Sequence, residues 1–128
     1  MYSKNDLVRD LKQAGIQNEV SQNYGRGSVI ELDLQPKYKF YVAVSNISPC
    51  FWNVTKNVIE DLVNNKEDFA LVLMDSQNNQ VYVYDSKNAL NLLSKVSYEK
   101  VYGNYRITDY DVTNPIKDNN FYEFLTTL

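Results

Sequence analysis

The sequence predicts an α/β (α+β) domain with a mixed central β-sheet flanked by helices. Three observations lead there. Residues 28–34 and 38–46 alternate apolar and polar side chains with a period of two, on either side of a short turn. Residues 69–74 are almost wholly apolar, as in a strand buried on both faces near the middle of a sheet. Around them lie segments whose apolar residues recur at helical spacing.

A first helix is expected over residues 6–14. Leu7, Val8, Leu11 and Ala14 share a face, Ser3 or Asn5 can cap it, and Gly15 stops it. Residues 16–22 read as a short extended piece, and Tyr24-Gly25-Arg26-Gly27-Ser28 as a loop. In the strand that follows, Ile30, Leu32 and Leu34 face one side, with Val29, Glu31 and Asp33 on the other. In the next, Tyr38, Phe40, Val42 and Val44 oppose Lys39, Tyr41, Ala43 and Ser45. The connection Gln35-Pro36-Lys37 is short enough to pair the two strands antiparallel.

Pro49 ends that region. A helix is expected over residues 53–65, with Val54, Val58, Ile59, Leu62 and Val63 as its buried stripe and Trp52 packed at its start. Residues 69–74 and 80–85 form a hairpin across the polar turn 75–79. A short helix over 86–94, capped by Ser86, leads to a strand over 100–107 that Gly103-Asn104 interrupts. A tail helix over 119–126 docks through Phe121, Phe124 and Leu125.

At 128 residues and 44% hydrophobic content, the chain reads as one domain, 1–128, with a single core. No apolar run approaches the roughly 18–20 residues of a spanning helix. The first residues, Met1 to Asp6, carry no apolar stretch of a secretory signal, so the cytoplasm is the expected location. Cys50 is the only cysteine, which excludes an intrachain disulfide and fits a small buried hydrophobe. The absence of histidine removes Ser-His-Asp and Cys-His catalysis and zinc sites built on histidine. A net charge of −3 lacks the basic balance of a strong nucleic-acid binder, yet leaves room for a local basic patch. Tyr98, Tyr102, Tyr105 and Tyr110 with Lys95, Lys100 and Arg106 mix aromatics and cations in a way that suits either sheet packing or base stacking.

The strand pair carrying Glu31 and Asp33, after a first helix and before a second, resembles the restriction-endonuclease-like, or PD-(D/E)XK, fold. The likeness covers roughly residues 5–85 and includes Glu67-Asp68-Phe69-Ala70-Leu71-Val72-Leu73 followed by Val81-Tyr82-Val83-Tyr84. Active members bind Mg²⁺ through carboxylates on the two strands, with a Lys two residues beyond the second. The resemblance implies Glu31 or Asp33 as metal ligands. It also places Ala43 where a Glu should stand and Ser45 where a Lys should stand. Lys56, Glu60 or Asp61 on the following helix could supply a migrated group.

The leading expectation is therefore a catalytically silent nuclease-fold protein without a cofactor. It would bind nucleic acid or a nucleic-acid-processing protein, in the setting of a phage or mobile element. Arg26, Lys37, Lys39, Lys100 and Arg106 are its candidate nucleic-acid contacts. The alternatives are a divergent Mg²⁺ nuclease using Glu31, Asp33, Lys56 and Glu60, and a protein-interaction module of immunity or subunit type. Exposed edge strands leave a homodimer open, and no membrane partner is expected.

Overall fold

Four helices and nine strands are described in a computed structural model covering residues 1–24 and 27–128. Helix α1 (Lys4–Gln13) starts at Ser3, whose hydroxyl accepts the Asp6 N–H while the Asp6 carboxylate accepts the Ser3 N–H. This reciprocal cap settles the choice between Ser3 and Asn5. Gly15, at φ +84°, turns the chain out of the helix.

Strands β1 (Asn18–Val20), β2 (Val29–Leu32) and β3 (Tyr38–Ser45) form an antiparallel meander. The chain leaves β3 through β4 (Phe51–Thr55) and α2 (Lys56–Asn64). It returns as β5 (Phe69–Asp75), parallel to β3 over seven register pairs. Strand β6 (Gln80–Asp85) closes the expected hairpin, and the two-residue β9 (Ile116–Lys117) edges it. The order across this mixed sheet is β1-β2-β3-β5-β6-β9. Every residue of β5 is buried, as its apolar run requires.

Each sheet face has its own core. Phe40, Val42, Ile30, Leu32 and Val72 pack beneath α1 and α4 (Asp118–Leu125), with Leu7, Leu11, Phe121 and Leu125 supplied by the helices. Tyr41, Leu71 and Leu73 point the other way, toward α2, α3 (Ser86–Leu93) and a second sheet. The alternation in β2 and β3 is thus the two-sided pattern of a strand between two layers.

The second sheet corrects two expectations. Residues 53–55 are not helical: β4 takes them, and α2 begins at Lys56. In β4 Trp52 and Val54 alternate inward, and its backbone pairs antiparallel with β8 (Asn104–Thr108). The Thr55 N–H donates to the Tyr41 hydroxyl at 2.8 Å and the Phe51 N–H to Ser45 Oγ at 3.1 Å. Pairing partners on both edges outweigh the helical spacing of Val54 with Val58, and Val63 is left largely exposed.

The expected strand over 100–107 is instead a hairpin of β7 (Ser97–Glu99) and β8. Gly103, at φ +70°, makes its turn, and the Glu99 carboxylate accepts the Val101 and Tyr102 N–H groups. Helix α3 is capped by Asp85, which accepts the Asn88 N–H, and not by Ser86. No helix among the described residues is long and apolar enough to cross a membrane.

Candidate functional site

Glu31 and Lys39 face each other across the β2–β3 ladder, on the side toward α2. The Lys39 side chain is only 9% exposed. Its ammonium lies 3.9 Å from Glu31 Oε1 and forms a close ion pair with Glu67, just before β5. Lys37, an exposed neighbour, reaches the same Glu31 oxygen at 3.5 Å. Tyr24 completes the group: its hydroxyl donates to Glu67 at 3.1 Å and accepts from Asn65 Nδ2 at 2.8 Å, while its ring lies 6.0 Å from the Lys39 ammonium. Burial raises the Tyr24 pKa first; the Asn65 bond lowers it and Glu67 raises it further. The result is an internal network of two carboxylates, one ammonium, a phenol and an amide.

Asp33 lies just past β2, exposed, with its N–H bonded to the Gln17 carbonyl. Glu19 is the register partner of Glu31 on β1. Glu19, Glu31, Asp33 and Lys37 line one shallow groove on the edge of the sheet. Ala43 packs into the core on the α2 side. Ser45 is buried, accepts the Phe51 N–H and sits 3.4 Å from the Ile47 carbonyl, so it fastens the β3–β4 loop.

Lys56 and Glu60 pair with each other at 3.6 Å along the exposed side of α2, and the Lys56 ammonium lies 5.2 Å from the Tyr98 ring centroid. Their described contacts lead toward the small sheet and not toward Glu31. Of the proposed nucleic-acid contacts, Lys39 turns inward, Lys37 is paired, and Arg26 lies outside the described residues. Lys100 and Arg106 are exposed on the small sheet.

That sheet has an open face. Trp52, Val54 and Ile107 are buried on one side, so Phe51, Asn53, Asn104 and Arg106 project from the other. Arg106 sits between its register partners Asn53 and Ser97, and its guanidinium carbon lies 5.3 Å from the Phe51 ring centroid. Thr55 and Asn104 are hydrogen-bonded at 3.2 Å beside them. Tyr102 and Tyr110 are 81% and 96% exposed, so packing accounts for only part of the tyrosine-rich segment.

Cys50 is buried near Asp75, Asp109 and Ser45. Burial, then hydrogen bonding to Asp109 and Asp75, pushes its thiol up to about 12, which leaves a poor nucleophile at neutral pH. Burial alone would raise Asp75. Hydrogen bonds from the Asn78 side chain and N–H, the Cys50 thiol and Gln80 outweigh it and hold the carboxyl below the ordinary range. Among the described residues, no group of three or more Asp, Glu or Cys side chains is arranged to hold a metal ion.

Sequence reasoning did not join Glu67, Tyr24 and Asn65 to Lys39. They lie in two loops that only the tertiary fold brings to β3, and no spacing announces them. A comparison with protein-family models, with curated proteins and with solved structures finds no match to this chain.

Proposed function

We propose that this is a nuclease-fold protein that acts by binding and not by cleavage, its partner a nucleic acid or a nucleic-acid-processing protein. The layout supports the fold: α1 precedes the β1–β2–β3 meander, and α2 follows it before the parallel return of β5. The observation that carries the silent reading is Lys39. Its ammonium occupies the ground between Glu31 and Glu67, where a divalent cation would need those oxygens. Ala43 and Ser45 add no ligand, since one packs and the other fastens a loop.

Titration with Mg²⁺ or Mn²⁺, read by calorimetry and Trp52 fluorescence, is the test. The expected result is no saturable uptake, and no cleavage of single- or double-stranded DNA or RNA by clean protein. Cleavage that disappears in Glu31→Ala would overturn the proposal. The competing reading is a divergent Mg²⁺ nuclease built on Glu31 and Asp33, which line one groove although, among the described residues, no three carboxylates there are arranged to hold a metal ion. That reading requires metal uptake and cleavage that are both lost in Asp33→Ala.

A further inference from the structure

We infer that the open face of the β4-β8-β7 sheet is a platform for single-stranded nucleic acid, with Arg106 and Phe51 at its centre. The inference rests on the binding half of the function proposed above and not on its catalytic silence.

Charge singles out this part of the chain. Residues 86–108 hold four cations against one acid, Glu99; Lys100 and Arg106 belong to the β7–β8 hairpin, while Lys87 and Lys95 lie on and just after α3, which packs on the large sheet. The rest of the molecule is acidic, given the net charge of −3. Among the described residues none of these four cations is in a salt bridge, a state they share with Lys4, Lys12, Lys66 and Lys117, while Arg9, Lys37, Lys39 and Lys56 are paired. Glu99 is not positioned as their counter-ion, because its two oxygens accept the backbone N–H groups of the hairpin turn. An anionic partner would neutralise what the protein leaves unpaired.

Shape and chemistry narrow the class of anion. The face offers a planar guanidinium beside an aromatic ring, with Asn53, Ser97 and Asn104 around it as hydrogen-bonding groups. Ring and guanidinium both stack on bases, and amide and hydroxyl groups bond to base edges or sugar hydroxyls. Paired bases in a duplex do not expose their flat faces, so stacking here requires unpaired ones. Five-residue strands span roughly 17 Å, room for two or three nucleotides. Lys100 and the exposed Tyr102, on the hairpin turn, continue the same chemistry at one end.

The test uses fluorescein-labelled single-stranded DNA and RNA of about ten nucleotides, read by anisotropy at several salt concentrations. The expected result is saturable binding whose logarithm falls with log salt by about 0.7 per phosphate contacted. Arg106→Ala and Phe51→Leu are each expected to weaken it by about tenfold, and Arg106→Lys by less. Lys66→Ala, which removes an exposed cation elsewhere, is expected to change nothing. Far-UV circular dichroism and Trp52 fluorescence confirm that each variant is folded. Failure of the wild type to bind at low salt would overturn the inference. So would equal losses in Lys66→Ala and Arg106→Ala, tighter binding of a matched duplex, or equal binding of inorganic polyphosphate. Cleavage of the oligonucleotide would count against the silent reading and leave this platform standing.

Discussion

Replacing Trp52 with alanine is expected to cost about 3–5 kcal/mol, most of the margin of a small domain. The indole is 1% exposed and fills the space between the small sheet and the large one. Its Nε1 donates to the Met74 carbonyl at 3.0 Å, and its ring meets Tyr82 edge-on at 5.7 Å. Truncation opens a cavity and removes the indole's hydrogen bond to β5, so transfer and hydrogen-bond losses add. Trp52→Phe keeps most of the volume and loses the donor, for about 1–2 kcal/mol. Urea unfolding followed by far-UV circular dichroism measures both. A loss below about 1 kcal/mol for the alanine variant would show that Trp52 is not wedged between two sheets. It would instead support residues 53–65 as one helix with Trp52 at its start.

The second large effect is expected at Lys39. Lys39→Met removes the ammonium and leaves Glu31 and Glu67 facing each other without it. Breaking a fully buried pair costs about 3–5 kcal/mol. Both carboxylates here remain about a quarter exposed, so water screens them and the expected loss is about 2–3 kcal/mol. The diagnostic is rescue. Lys39→Met with Glu67→Gln removes the orphaned charge and is expected to recover more than half of the loss. The coupling between the two sites, read from a double-mutant cycle, is then at least 1 kcal/mol. Additive losses would mean that Lys39 acts through packing of its stem alone, and the ammonium would no longer support the proposal that the site is silent.

The inner strands of the large sheet were legible because they carry their own instructions, whereas the two-residue edge strand β9 was not. Residues 69–74 are a short apolar run bounded by polar turns, which reads as a central strand, and β2 and β3 alternate between two cores. The small sheet was not legible. In β4 the inward pair Trp52 and Val54 is only two positions long, and Val54 also fits a helical stripe that continues through Val58 and Leu62. Only the partners decide: β8 on one edge, and the hydroxyls of Tyr41 and Ser45 on the other. The candidate site divides in the same way. Antiparallel pairing of the two strands was legible, but the register that sets Glu31 opposite Lys39 comes from the structure. Glu67 arrives from the far side of α2, a placement that depends on the parallel pairing of β5 with β3.

That parallel pairing also sets the order in which the chain can assemble. The β2–β3 hairpin closes across residues 33–37 and the β5–β6 hairpin across residues 76–79. The β3–β5 ladder must wait for residues 46–68, with β4 and α2 inside them, to fold back. Closing the longer loop costs more chain entropy before any contact offsets it. The domain is expected to assemble as two hairpins that dock, with the seam between Val42 and Val72 as the rate-limiting step. Val42→Ala and Val72→Ala should therefore slow folding, while Ile116→Ala in the short edge strand β9 should mainly speed unfolding.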